Sequence, residues 1–264
     1  MRPKSNLRFE LKYLLRSEQI EPLLAELRQT MRLDAYGGAS GTYPITSLYY
    51  DTSDYKAYWD KLDGHRSRRK LRVRVYGDTT VTPETGAFLE IKQRVNKLMR
   101  KRRVALTYGE AVDFDGYQAL GATRGGSDQA LLHEAYYLYR TLRLGPTCVV
   151  TYDRMAFEGD PHAPDLRITL DTNLRGRTHD LSLLSTGRAV NQQVLGSEYA
   201  VLEVKANQNV PRWVAQLVAR HRCTFYRISK YCLVLEHSRA VTGRQRLIVG
   251  TRPPGQESLG QDRY

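Results

Sequence analysis

Charged and apolar residues alternate at strand spacing in three separate stretches: Lys70-Leu71-Arg72-Val73-Arg74-Val75, Leu89-Glu90-Ile91-Lys92 and Leu202-Glu203-Val204-Lys205. Successive side chains of a strand point to opposite faces, so each stretch carries one charged face and one apolar face. Lys70, Arg72 and Arg74 share a face, as do Glu90 with Lys92 and Glu203 with Lys205. A half-exposed antiparallel sheet also has one polar face. Here, however, Thr and Gln are scarce on it, and Glu-x-Lys recurs. The pattern predicts a sheet built around a charged ligand, and in a closed barrel that face would be the lumen.

The remaining periodicity places a strand over 7–15 and a helix over 18–31 capped by Ser17, with Leu23, Leu24 and Leu27 inward. A loop at 34–42, a strand at 45–51 and a short helix or turn over 52–62 follow. Strands at 70–76 and 87–93 flank a loop at 77–86. Residues 94–103 form a basic run, read as a solvated loop or as a site for a long polyanion. Section 108–143 reads as helix in two pieces, broken at 121–127. Further strands are expected at 147–157, 166–172, 199–205 and 231–236, with a helix from Pro211 to about 221. The expected organisation is one domain over 1–239 and a peripheral or disordered tail over 240–264.

The chain has 264 residues and 41% hydrophobic content, enough to bury a core. Lys and Arg number 41 against 28 Asp and Glu, a balance that favours anionic partners. Cys148, Cys223 and Cys232 have no metal spacing and suggest buried free thiols. No segment has the length of a membrane span, and the start has no signal-peptide pattern. The expectation is a cytoplasmic protein, with peripheral association to a membrane left open. The scattered histidines (His65, His133, His162, His179, His221 and His237) read as surface or packing residues. One of Tyr49 and Tyr50 belongs in a core. No Walker pattern follows the Gly-Gly pairs, and aromatic platforms for a nucleic acid are lacking.

RFELKY at 8–13, SLYYDT at 47–52, KLRVRVY at 70–76, FLEIK at 88–92, TYDR at 151–154, LRITLDT at 166–172, VLEVK at 201–205 and RISKY at 227–231 together resemble the VTC domain. That is the catalytic domain of vacuolar transporter chaperone polyphosphate polymerases, within the CYTH or triphosphate tunnel superfamily. The resemblance implies an α+β fold: a closed antiparallel β-barrel with a charged lumen and peripheral helices. It implies ATP and polyphosphate as substrates, Mn²⁺ or Mg²⁺ as cofactor, and transfer of the ATP γ-phosphate to a growing chain. A triphosphate or polyphosphate hydrolase and a non-catalytic binder of polyphosphate or inositol polyphosphate remain as alternatives.

Carried over residue by residue, Lys12, Arg72, Arg74, Lys92, Arg154, Arg167 and Lys230 would act on the reacting phosphates. Lys101, Arg103 and Arg227 would bind the substrate, and Lys70 and Lys205 join them because they share the charged strand faces. Glu203, then Glu90 and Glu10, would hold the metal. Many CYTH proteins begin E-x-E-x-K, and here Arg8 takes the first glutamate position. That departure leaves fewer carboxylates for two-metal chemistry and favours the polymerase branch. A separate membrane protein is the partner this branch suggests, and nucleic acid is not expected.

Overall fold

The computed structural model describes residues 8–77, 80–96, 98–159, 163–184, 190–207 and 209–241. From residue 242 on, the expected tail lies outside the described residues, as do Lys97 in the basic run and His162. The chain order begins with β1 (Arg8–Arg16), α1 (Ser17–Thr30), β2 (Arg32–Leu33), a 3₁₀ segment (Ala35–Ser40), β3 (Thr42–Asp51) and α2 (Lys56–Leu62). Next come β4 (Ser67–Tyr76), β5 (Gly86–Val95), β6 (Leu98–Thr107), α3 (Tyr108–Val112), α4 (Tyr117–Ala122) and α5 (Gly126–Leu142). The last third holds β7 (Gly145–Glu158), β8 (Arg167–Arg177), β9 (Gln192–Gln193), β10 (Tyr199–Asn207), α6 (Arg212–Arg220), β11 (Thr224–Phe225) and α7 (Lys230–His237). No described helix is long and apolar enough to cross a membrane.

One large antiparallel sheet runs in the order β11-β1-β10-β8-β7-β3-β4-β5-β6, with β2 and β9 as short side pairings. The expected barrel closure is corrected: among the described residues no hydrogen-bonded pairing joins β6 to β1 or β11. The reason lies in the two edges. β11 covers only Tyr13 and Leu14 of β1. β6 presents Arg100, Lys101, Arg102 and Arg103 in succession, and charge of this kind blunts an edge against further pairing. The sheet is nevertheless strongly rolled. β1 and β5 lie six steps apart along the strand path, about 29 Å in a flat sheet, yet Lys92 Nζ on β5 is 2.9 Å from Glu10 on β1. The product is a trough with a seam.

Two apolar layers cover its outside. Leu71, Val73, Leu89, Ile91 and Val104 pack against α3, α4 and α5 through Ala111, Tyr117, Leu131, Leu132 and Ala135. Ile168, Leu170, Leu202 and Val204 pack against α1 and α6 through Leu23, Leu27, Val214 and Leu217. The alternation read from the sequence therefore points as expected, apolar side chains outward under helices and charges inward.

Four further expectations change. Residues 231–236 form helix α7 instead of a strand, because a short apolar run has no period that separates the two, and Ser229 supplies an N-cap by accepting from the Cys232 amide. The basic run 94–103 is the turn and second arm of the β5–β6 hairpin, paired from Gly86↔Thr107 to Val95↔Leu98. The section 108–143 holds three helices instead of two. Ser17 is the first residue of α1, and Arg16 precedes it as the cap.

Candidate functional site

The inner face of the trough is charged, and register explains why the distant motifs meet there. On β1 and β10, Lys12 stands opposite Glu203 and Glu10 opposite Lys205. On β4 and β5, Arg72 stands opposite Glu90 and Lys70 opposite Lys92. On β7 and β8, Arg154 stands opposite Asp171.

Glu203 organises one wall. It lies 3.0 Å from Lys12, 2.8 Å from Lys205, 3.2 Å from Lys230 and 3.7 Å from Arg154. Burial works against its ionisation, but these four cations hold its carboxyl well below the ordinary range. Arg154 donates from two nitrogens to the two oxygens of Asp171 at 2.6 and 2.7 Å, and Lys230 contacts Asp171 at 2.5 Å. Such bidentate pairing fixes the guanidinium plane. Glu10 contacts Lys12 at 3.2 Å as well as Lys92, and despite burial Lys12 and Lys92 draw its pKa down to about 2.

Glu90 organises the other wall. Arg72 donates its Nε to Glu90 at 2.7 Å and another nitrogen to the Tyr49 hydroxyl at 2.7 Å, and Lys101 reaches Glu90 at 2.5 Å. Arg74, 4% exposed, donates to the Ser47 hydroxyl at 3.0 Å and to the Tyr152 hydroxyl at 3.2 Å. Tyr152 joins the walls, since the Arg154 and Lys230 charges lie 5.3 and 4.7 Å from its ring centre. Tyr49 has the inner position and Tyr50 packs in the outer core. Burial would raise the Tyr49 hydroxyl, but Arg72, Arg74 and Lys70 bring it below its ordinary value.

Nine cations (Lys12, Lys70, Arg72, Arg74, Lys92, Lys101, Arg154, Lys205 and Lys230) thus share the face with four carboxylates (Glu10, Glu90, Asp171 and Glu203). The excess positive charge, partly shielded from water, is suited to an anion with several charges.

Three expected residues sit apart. Arg167 lies near the opposite end from α7, tied to Asp34 at 2.5 Å and Glu158 at 2.8 Å. Arg103 is exposed and stacks over Phe88 at 4.7 Å. Arg227 is exposed on the loop before α7. Conversely, Asp171, Ser47 and Tyr152 belong to the site and were not singled out from the sequence. Their signal was parity alone: Asp171 shares a face with Arg167, and Tyr152 with Arg154.

The fit for a divalent cation is partial. Among the described residues no three acidic, His or Cys groups converge to form a cage. Glu10 and Glu203 do approach each other, since both contact Lys12 Nζ. Thr169, opposite Glu203 in register, has a buried hydroxyl without a hydrogen-bond partner. These oxygen donors suit a hard cation whose shell is completed by phosphate and water. Glu90 stands on the other wall, where Arg72 and Lys101 contact its two oxygens.

Comparison with known proteins follows the same motifs. The family model of the VTC domain matches residues 7–238. Vacuolar transporter chaperone complex subunit 4 of Schizosaccharomyces pombe is 26% identical over 214 residues, covering 67% of this chain and 29% of that protein. The protein of the same name from Trypanosoma cruzi is 25% identical over 218 residues, covering 71% of this chain and 27% of its own length. The chain therefore spans under a third of these relatives. A chain of the Schizosaccharomyces pombe Mediator head module superposes at TM-score 0.39 with 11% identity over 81% of this chain and 90% of its own, too loosely to carry an argument.

Proposed function

Because the chain belongs to the VTC domain family, we propose that it is a polyphosphate polymerase, moving the γ-phosphate of ATP to the end of a polyphosphate chain within the trough. The observation that supports this most is the excess of cations on a mostly buried face, where Arg74 donates to the Ser47 and Tyr152 hydroxyls. Phosphoryl transfer rests on positioning and on neutralising the equatorial oxygens. Lys12, Lys205, Arg154 and Lys230 would contact the phosphates from one wall, and Arg72 and Arg74 from the other. Glu203, Glu90 and Asp171 hold the other five cations, and the Ser47 and Tyr152 hydroxyls hold Arg74, before substrate arrives, so little reorganisation accompanies the reaction. No general base is required, since the attacking phosphate is already anionic. Mn²⁺ or Mg²⁺, when bound by Glu203 and Glu10, would neutralise charge on the phosphate oxygens. The relatives are named as subunits of a complex, which supports a protein partner for this chain as well.

Incubation with ATP and Mn²⁺, with products resolved by gel, tests the reading: ADP together with long chains is expected. A second reading, hydrolysis, draws on α7, which covers part of one end of the trough. Orthophosphate without chains would establish it and remove the polymerase.

A pH dependence follows from two lysines. Burial lowers Lys92 from 10.5 to about 8 and Lys101 to about 7, although Glu10 and Glu90 oppose the shift. A bound polyanion raises both, so binding takes up protons and weakens as pH rises. Affinity for tripolyphosphate is expected to fall between about pH 7 and 9, by up to about tenfold per pH unit for each lysine titrating. Titration calorimetry in buffers of different ionisation enthalpy reads the proton uptake directly, and a flat profile would remove these lysines from the binding face.

A further inference from the structure

The inner face does not stop where α7 covers it. α7 lies against β7 and β8, so close to Gly176 that an added Cβ would meet Val234 at 2.4 Å. Its Tyr231 hydroxyl donates to Asp51, and the Tyr58 hydroxyl of α2 donates to its Glu236. These contacts close the β3, β7 and β8 side of that end. On β4 and β5 the inner positions run on, from Lys70 and Lys92 to Arg68 and Arg94, which stand directly opposite each other in register.

Among the described residues, no carboxylate pairs directly with these outlying cations. Arg68 donates to the Lys61 carbonyl at 3.3 Å and Arg94 to the Asn96 carbonyl at 2.8 Å. Lys70 donates to the Ser229 hydroxyl at 3.2 Å and lies over the Tyr231 ring. The nearby acids are engaged: Asp60 by Lys56 and His65, and Glu236 by Tyr58. Outer-face neighbours behave differently, since Arg69 and Arg102 both pair with Glu134. Like charges directly opposite on a sheet destabilise it. Burial lowers the pKa of Lys61 and Arg68, and neighbouring cations add to this, Lys70 and Arg68 acting on Lys61 and Arg94 on Arg68, while Glu236 and Asp60 oppose it without direct contact. A cationic line along the inner register, which acids influence without pairing with it, is electrostatically incomplete until an anion lies along it.

We propose that Lys70, Arg68 and Arg94, with Lys61 beside them, form an exit track along which a linear polyphosphate chain leaves the trough past the uncovered side of α7. The proposal rests on the polyphosphate reading, but its test needs no turnover. Affinities for tripolyphosphate and for long-chain polyphosphate are measured over a range of salt. In the Arg68→Ala/Arg94→Ala double variant, long-chain affinity is expected to fall by about tenfold at low salt, with a salt slope shallower by roughly 1.5, because two charge contacts are lost. Tripolyphosphate affinity should stay within about twofold. Arg94→Glu alone, at an exposed position, should show the same selectivity and guards against misfolding of the double variant.

Equal losses for short and long chains, or no loss for either, would overturn the track. So would loss of binding to phosphatidylserine vesicles with long-chain affinity intact, which would make the surface a lipid contact. A failure of the polymerase reading would appear separately, as absence of chains from ATP.

Discussion

Glu203→Gln is expected to lower turnover by about a hundredfold or more and to cost the ligand-free protein about 3–5 kcal/mol, while polyphosphate still binds. Four cations meet this carboxylate, which is 5% exposed. Removing its charge leaves buried cations uncompensated, and breaking such a set by one partner costs several kcal/mol. In a chain of this size that corresponds to a drop of roughly ten degrees in Tm. Added polyphosphate replaces the missing negative charge, so it should recover more stability in the variant than in the wild type. The wild-type carboxyl is held well below 4.5, so its contribution is present above that value and is lost as pH falls into the acid range. Glu203→Gln should therefore flatten the acid limb of stability. Thermal melts with and without polyphosphate decide the matter. Unchanged stability and unchanged rate would show that the cluster does not depend on Glu203.

Arg74→Met should separate activity from stability in the opposite way. Arg74 is buried, hydrogen-bonded among the described residues to the Ser47 and Tyr152 hydroxyls, and pressed by the neighbouring Arg72 charge. Its charge helps Arg72 and Lys101 hold Glu90 low, but Glu90 keeps those two direct partners without it, so replacing it by an apolar chain of similar length should cost only about 1–2 kcal/mol of stability. Loss of one preorganised donor to the transferring phosphoryl group should lower kcat by about a hundred- to a thousandfold. The pair of outcomes, a stable protein with little turnover, marks a residue placed for ligand rather than for fold. Full activity in this variant would mean that the phosphates do not lie against β4.

Much of this was legible in the alternation of the chain. Lys70, Arg72 and Arg74 share a face because a strand has period 2, and no tertiary information is needed to say so. The same parity put Glu203 with Lys205 and Glu90 with Lys92. Parity does not reveal what stands across the trough. Asp171 sits in a motif that was read for Arg167, yet it is Asp171 that anchors Arg154 and Lys230, whereas Arg167 is diverted to Asp34 and Glu158. Residues 231–236 misled for a different reason: Tyr-Cys-Leu-Val-Leu-Glu is too short and too apolar for a period to distinguish strand from helix. The run 94–103 was hidden because its many charges resemble a loop, although alternate residues there also serve two faces of β6.

By itself the sequence determined which side chains share a face, the antiparallel strand character and the family, because alternation and motif order are local properties of the chain. Tertiary structure decided the rest: that the sheet rolls without closing, that α7 covers part of one end, and which acid holds which cation. These depend on register and strand order across long separations, where Glu10 meets Lys92 and Lys230 meets Asp171, and no local period records them.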